Sequence, residues 1–293
     1  MTLEQLRIFI AVATREHMTL GAQDLNLTQS ATSAAIAALE QRHATKLFDR
    51  VGRRIALTEA GRLFLDEAKA VLARAQAAET MLGDLGELKR GTLSVAASQT
   101  IANYWLPRVI HRFHERFPGI AITMTIGNSR SVGADVKAGL VEVGLIEGAI
   151  GDDDLIAEHF ADDELLLVAA PDHPWVRRAP KPAEDFPSAR WILREAGSGT
   201  RSIFEAALPA FGLTAGDLPV ALELPSNEAV RTAVEAGAGV TVMSRLVVAQ
   251  SLAAGALCAL PLAIPRRRFY LLRHRDRYVS RAAGELRSLV LPG

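Results

Sequence analysis

Thr28, Gln29, Ser30, Thr32 and Ser33 crowd short hydrogen-bonding side chains into the opening of one segment. Groups of that kind, held at the outward end of a helix, can exchange hydrogen bonds with base edges in the major groove of DNA. Thr19, near the start of the preceding segment, is a further candidate for such contact. Farther on, Arg50, Arg53 and Arg54 surround Gly52, and cations at the tip of a turn suit phosphate or minor-groove contact. From Arg42 to Arg62 the basic residues Arg42, Lys46, Arg50, Arg53, Arg54 and Arg62 stand against only Asp49 and Glu59, so the cationic footprint is local.

A second group of residues points to different chemistry. Ser98-Gln99-Thr100, Gly197-Ser198-Gly199-Thr200-Arg201 and Pro225-Ser226-Asn227 each lie between an apolar strand-like run and a helix-like run. Hydroxyls, free backbone amides and the positive ends of helices together suit a small anion or a carboxylate. Asn128 and the pair Glu147-Gly148 end two further strands and can face the same space. Glu147 is the anomaly, because a carboxylate beside an anion costs free energy unless it is protonated or paired with a cation such as Arg194 or Arg201. It can instead read an ammonium. Each loop alone has a plainer reading as a helix N-cap; three in register across a cleft favour a site.

The elements that position these residues follow from periodicity. Leu3, Leu6, Phe9, Ile10 and Ala13 mark a helix over 3–15, Thr19 to Leu25 a second, and Thr28 to about Arg42 a third after an Asn26-Leu27 turn. Packing of Ala31, Ala35, Ile36 and Leu39 on the first two helices would leave Gln29, Ser30, Thr32 and Ser33 outward. Two brief strands around Gly52 then form a wing. This is helix-turn-helix grammar, although two helices in an ordinary core share it.

From Thr58 to Lys89 there is no proline, and Phe64, Ala68, Val71, Ala75, Ala78, Leu82 and Leu85 recur at heptad spacing. A helix of about 30 residues is about 45 Å long, too long to bury such a stripe against so small a head, so it is expected to pair with a second copy; the alternative is a core helix within its own chain. Gly83, Gly86 and Gly91 mark a hinge. Beyond it, strands at 93–97, 120–126 and 143–146 alternate with helices at 103–117 and 131–138, and a second run begins at Leu165. The order predicts two α/β lobes with mainly parallel sheets, whose ligands sit beyond the carboxyl ends of the strands.

The run LEQLRIFIAVA, then TLGAQDLNLTQSATSAAIAALE, then KLFDRVGRRIALTEAGRLFL, resembles the LysR-type transcriptional regulators in order and spacing. Members often carry a long polar side chain where Ala34 stands and proline where Ser30 stands, which shifts base readout here toward Gln29, Thr32, Ser33 and the wing. The resemblance implies an α/β protein with an all-α N-terminal part: a winged helix-turn-helix head over 1–58, a linker and dimerisation helix over 59–90, and a Rossmann-like effector domain similar to periplasmic binding proteins over 91–293. Lobe I is expected over about 91–162 plus 267–293, and lobe II over about 163–266. Implied partners are double-stranded DNA carrying a pseudo-palindromic operator, a second copy through the linker helix, pairing of dimers into a tetramer, and RNA polymerase as a candidate contact. Ser98-Gln99-Thr100 and the Gly-Ser-Gly-Thr-Arg segment look most like the branch with CysB-like, carbon-fixation and YeiE-like regulators. That likeness implies an anionic effector, a sulfur oxyanion foremost.

Composition narrows the alternatives. Balanced charge, 33 basic against 33 acidic residues, disfavours a nucleoid protein coated in nucleic acid. A single Cys258 fits a reducing compartment; no basic leader precedes an apolar run, and no stretch nears the ~18 apolar residues of a membrane helix. A cytoplasmic location without membrane contact is expected. The glycine loop lacks the lysine and spacing of a P-loop, no G-x-S-x-G elbow exists, and His111 and His114 have no third ligand, so neither catalysis, cofactor nor metal is expected. The competing class is a cytoplasmic two-lobed solute-binding protein with a helical N-terminal extension.

Overall fold

The structure, a computed structural model, describes residues 1–51, 54–83 and 91–291, with the backbone alone at 51 and 54. Contacts divide the chain into one unit ending at Gly83 and another following it.

In the first unit, α1 (Leu3–Arg15) starts at a capping box in which Thr2 Oγ1 accepts from Gln5 N–H and Gln5 Oε1 accepts from Thr2 N–H. α2 (Met18–Asp24) packs so closely on α1 that a Cβ on Gly21 would lie 2.8 Å from the Val12 backbone, which requires glycine there. The turn reverses at Asn26, φ 55°, a left-handed conformation that asparagine tolerates. α3 (Gln29–His43) is capped by Thr28, whose Oγ1 accepts from Ala31 N–H at 3.2 Å. Phe9, Leu6, Ala13, Leu39 and Leu47 form the core. β1 (Phe48–Val51) and β2 (Arg54–Leu57) pair antiparallel as the wing. The buried Glu40 carboxylate fastens it to α3, accepting from Leu47 N–H at 2.9 Å and Phe48 N–H at 3.2 Å while pairing with Lys46 at 2.6 Å.

One face assignment is corrected. Thr32 is fully buried, and its hydroxyl has no hydrogen-bond partner, while Ala31 is exposed. Thr32, Ile36, Leu39 and Glu40 share the inner face at the i, i+4, i+7 spacing of a helix. The inner stripe was expected one residue too early, so Thr32 does not present its hydroxyl to DNA.

α4 (Glu59–Gly83) begins where Thr58 Oγ1 accepts from Gly61 N–H at 2.9 Å. The start of the heptad stripe is used within the head: Ala68 is buried and Phe64 packs beside it against α1. Val71 and Leu82 farther along are exposed. Leu85 and Gly86 lie outside the described residues.

In the second unit, β3 (Gly91–Ser98) leads through a single π-helical turn, Ile101–Trp105, into α5 (Leu106–Arg116). β4 (Ile120–Gly127), α6 (Ser129–Ala138), β5 (Val143–Glu147) and β6 (Leu155–Asp163) follow. The chain then crosses to β7 (Leu165–Ala169), α7 (Pro174–Arg177), α8 (Pro182–Asp185), β8 (Trp191–Arg194), α9 (Gly199–Ala207), β9 (Val220–Leu224), α10 (Asn227–Glu235), β10 (Val240–Ser244), α11 (Arg245–Ala253) and β11 (Cys258–Leu260). It returns through β12 (Arg267–His274) and ends in α12 (Arg281–Val290). The sheets run β4-β3-β5-β12-β6 and β11-β7-β10-β8-β9.

Both sheets are mixed, because β12 is antiparallel to β5 and β6, and β7 is antiparallel to β10 and β11. In each lobe the reversed strand is the one that has just arrived from the other lobe. Ser98, Glu147 and Asp163 therefore end strands of the first lobe at the junction, Arg194 and Ser244 end strands of the second, and Arg267 opens the returning strand there.

Replacing Thr32 with valine removes a buried hydroxyl that has no partner. Thr32→Val is expected to stabilise the head by about 1–3 kcal/mol in thermal unfolding and to leave operator affinity unchanged in a mobility-shift assay. Weakened DNA binding would return Thr32 to the contact surface.

Candidate functional site

Two surfaces carry chemistry, one in each unit. On the head, Thr28, Gln29 and Ser30 are exposed, Ser33 is half-buried, and Thr19 and Arg50 are exposed. Gln29 Nε2 donates to Ser33 Oγ at 3.0 Å, and the Thr28 and Ser30 hydroxyls lie 3.1 Å apart. These polar groups are satisfied by one another and by solvent, so they can exchange partners without exposing a core. Arg53 and the side chain of Arg54 lie outside the described residues.

The second surface lies between the two lobes of the following unit. Its centre is Arg267, whose side chain is wholly buried. Nη1 donates to Glu147 Oε2 at 2.6 Å and to Thr200 Oγ1 at 2.8 Å, Nε donates to Asp163 Oδ2 at 2.6 Å, and Nη2 donates to Thr100 Oγ1 at 3.3 Å. The Glu147 carboxylate also accepts from Ser98 Oγ at 3.0 Å, Thr100 N–H at 3.2 Å and Thr200 Oγ1 at 3.3 Å. Ser98, Thr100, Thr200 and Arg267 thus form a cage of donors closed on a carboxylate supplied by the chain itself.

Contacts across the lobes surround the cage. Gln99 Oε1 accepts from Asn227 N–H at 2.9 Å and its Nε2 donates to the Pro225 carbonyl at 2.8 Å, while Asn227 Nδ2 donates to Thr100 Oγ1 at 3.1 Å. Arg194 donates to Asn227 Oδ1 and chelates Glu195, which also accepts from Asn128 Nδ2 at 3.2 Å. Tyr104 Oη donates to Glu228 at 3.0 Å, and burial together with that carboxylate pushes the phenol up to about 12.

The two carboxylates on Arg267 are not equivalent. Burial is the strongest influence on Glu147 and opposes its charge, yet Arg267, the hydrogen bonds from Thr100 and Ser98 and the charge of Arg194 outweigh it, holding Glu147 below the usual range. Burial pushes Asp163 above the ordinary aspartate value; Arg267 and the Ser244 hydroxyl at 2.9 Å only partly offset it, and the nearby negative Glu147 adds to the rise. Glu147 is the fixed anion of the pair.

Beside the cage, a groove of about 560 Å³ runs between α6 and α9, lined by the Glu147-Gly148 strand end, Ile150, Leu155, Ile203 and Ala206. Gly133 makes room for Ile150, whose Cδ1 would sit 2.6 Å from a Cβ there.

The sequence-derived residues fall into three sets. Ser98, Thr100, Glu147 and Thr200 converge in one hydrogen-bonded cluster, and Gln99 joins it through Asn227. Gly148, φ 78°, and Asn128 border it, and Ser198 is buried at the start of α9. Ser226 is an N-cap, its hydroxyl accepting from Ala229 N–H at 3.0 Å, and the adjacent Asn227, 1% exposed, is the residue that reaches inward. Of the cations considered for Glu147, Arg201 is engaged by Glu205 and Glu223, and Arg194 acts only through its charge.

Arg267, the actual partner, was missed, as was Asp163, and Asn227 was named only as part of the loop in which Ser226 was preferred. Arg267 sits in the run Arg266-Arg267-Arg268, which reads as solvated charge, but it shares strand parity with the buried Phe269 and Leu271. That parity was the available signal.

Residues 3–62 match the family described as bacterial regulatory helix-turn-helix protein, lysR family, and residues 86–292 match the LysR substrate binding domain. The chain is 37% identical over 287 residues to "Uncharacterized HTH-type transcriptional regulator YeiE" of Escherichia coli (strain K12), covering 96% of this chain and 94% of that one. It is 34% identical over 287 residues to "Probable RuBisCO transcriptional regulator" of Cyanidioschyzon merolae, covering 96% and 95%. Among solved structures, full-length CbnR complexed with its target DNA superposes with a TM-score of 0.69 at 20% identity, covering 99% of each chain.

Arg267→Met leaves Glu147 and Asp163 buried without their cation, and breaking such a pair is expected to cost about 3–5 kcal/mol at neutral pH. In the variant both carboxylates bind protons more tightly folded than unfolded, so its stability should recover as the pH falls from about 8 to about 5. Glu147→Gln behaves in the opposite sense. Wild-type Glu147 stabilises above its unfolded value and loses that contribution as the pH falls through its depressed folded value, so the gap between wild type and variant narrows in acid. Thermal unfolding checks both, from about pH 8 to 5 for Arg267→Met and from about pH 5 downward for Glu147→Gln; a pH-independent penalty within its own range would contradict the charge assignment.

Proposed function

The chain belongs to the LysR family of bacterial DNA-binding transcription regulators, and from that premise we propose that its effector is a small anion recognised by Ser98, Thr100, Thr200 and Arg267 between the lobes. The family and the relatives above are regulators of transcription and not enzymes. The observation that carries the anion reading is the cage itself: two hydroxyls, a backbone amide and a guanidinium already converge on the oxygens of Glu147, and the Thr100 hydroxyl lies beside them on Arg267. Donors arranged for one carboxylate suit another oxyanion, and a sulfur oxyanion such as sulfite is the foremost candidate.

On this reading Glu147 is an internal competitor. An entering anion takes donors from it, and the displaced carboxylate either follows Arg194 or takes up a proton. Because the same donors tie β3, α9 and β12 together, the exchange changes the relative stability of lobe arrangements. A ligand shifts a population only through such a difference in affinity between states.

The chain is divided for this role into a head over 1–58, a linker over 59–90 and an effector domain over 91–293. The exposed Val71 and Leu82 support pairing of two copies along α4, with dimers joining into a tetramer. Paired heads then read a pseudo-palindromic operator through Thr19, Thr28, Gln29, Ser30, Ser33 and the wing. RNA polymerase is the further partner such a regulator engages.

Two results are expected from mobility-shift assays with operator and scrambled DNA. Sulfite or sulfate should change operator binding by wild type, and Thr100→Val should lose that response while keeping its affinity for DNA; a retained response would place the effector elsewhere. Arg50→Ala should reduce the slope of log affinity against log salt by about one, and an unchanged slope would remove Arg50 from the phosphate contacts. A solute-binding protein without regulatory function would shift neither DNA.

A further inference from the structure

Carboxylates outnumber guanidinia where the lobes meet. Glu147, Asp163 and Glu195 stand against Arg194 and Arg267, so among the described residues this cluster carries one negative charge in excess. An entering anion adds to that excess around a wholly buried cation, where like charges repel more strongly than in water. A proton taken up with the anion removes the conflict, and the hydrogen bonds decide which carboxylate has room for it.

Glu147 has none while the cage is closed. Its Oε1 accepts from Ser98 Oγ and Thr100 N–H and its Oε2 from Thr200 Oγ1 and Arg267 Nη1, which fills the roughly four acceptor sites of a carboxylate. Burial opposes the charge of Glu195, but Arg194 and Asn128 outweigh it and hold that carboxyl below the usual range. Asp163 differs. Among the described residues only two donors reach it, Ser244 Oγ at 2.9 Å on one oxygen and Arg267 Nε at 2.6 Å on the other, so about half its acceptor sites are open. Ser244 Oγ accepts from Leu246 N–H at 3.1 Å and has a second lone pair, so a proton on Asp163 reverses that hydrogen bond instead of breaking it. The other charges near it give little relief: Glu147 of β5 repels it, Arg266 and Arg268 of β12 are exposed, and the neighbouring Glu164 is paired with Arg245 of α11. Burial already pushes Asp163 above the ordinary aspartate value. It also pairs in register with Arg267 where the two crossing strands run side by side, so its charge acts on the connection between the lobes.

We propose that Asp163 is a proton-binding site coupled to the cage: it takes up a proton from solvent as an anion enters, so that effector affinity depends on acidity. The inference rests on the anion reading of the cage. A neutral Asp163 leaves the charge of Arg267 to the ligand, while the displaced Glu147 stays ionised beside Arg194. Linkage is reciprocal, so an anion that brings a proton with it must bind more tightly as the pH falls, with the strongest binding where Asp163 already carries its proton.

Calorimetric titration of the full-length protein with sulfate, whose own charge is constant across the range, and with sulfite tests the coupling. At about pH 6, heats measured in MES and in Bis-Tris should differ by the uptake of roughly half a proton or more per sulfate bound, and affinity should fall about tenfold between about pH 5 and about pH 8. Asp163→Asn is neutral at every pH and can donate to Ser244 Oγ. It should show no proton uptake with sulfate, a flat pH profile and, at about pH 8, tighter binding than wild type; a merely structural role for Asp163 would give weaker binding throughout. With sulfite, which titrates itself, the difference between wild type and variant carries the same information. Circular dichroism confirms that the variant is folded, and the two-buffer comparison on wild type stands without it. Heats equal in both buffers overturn the proposal, as does weaker binding by Asp163→Asn across the range. Proton uptake retained in Asp163→Asn also overturns it, by placing the proton on the displaced Glu147. Absence of heat with either anion at about 10 mM overturns the anion reading and this inference together, whereas binding without proton uptake overturns this inference alone.

Discussion

A buried guanidinium holds the sensing half of this protein together. Arg267 opens the strand that returns from the second lobe, and it meets Glu147 and Asp163 at the ends of two strands of the first and Thr200 at the start of α9. Taking one cation and two carboxylates out of water costs several kcal/mol per ion unless every lone pair finds a donor. Here Ser98, Thr100, Ser244 and Thr200 supply those donors. The arrangement is therefore stable only as a set, and a change at one member must be answered by the others.

Topology explains why these groups meet. In each lobe the single reversed strand is the one that crosses over, so the carboxyl ends of the remaining strands all face the junction. Helix starts follow those ends, which brings Thr100, Ser129, Thr200 and Asn227 to the same place. A site rich in hydroxyls and amides then needs no special loop. The π-helical turn at Ile101–Trp105 fits this pattern, since such turns are frequent at functional sites.

The sequence was most legible where side chains differ strongly between faces. The α1 stripe of Leu6, Phe9 and Ala13 and the alternation of strands and helices beyond Gly91 set most elements. α3 was harder, because Ala31, Ala34, Ala35, Ala37 and Ala38 populate every side of the helix and leave its phase to Ile36 and Leu39 alone; the inner face was placed one residue early, and Thr32 with it. β6 went unread because its pairing with β12 lies more than a hundred residues away in the chain. Arg267 was hidden in a run of arginines, although strand parity marked it. The polar strand-to-helix turns at Ser98 and Thr200 were readable, and their side chains meet between the lobes, whereas Ser226 was grouped with them although its hydroxyl caps α10 by accepting from Ala229 N–H.

The central claim is that Glu147 occupies the place of an anionic effector and competes with it. Calorimetric titration of sulfite into the full-length protein, wild type against Glu147→Ala, addresses that competition directly. Removing the competitor leaves Arg267 Nη1, the Thr100 amide and the Ser98 and Thr200 hydroxyls free for the ligand, so the account predicts binding tighter by about tenfold or more. Weaker binding in Glu147→Ala, or none, would show that the carboxylate assists the ligand and would contradict the account.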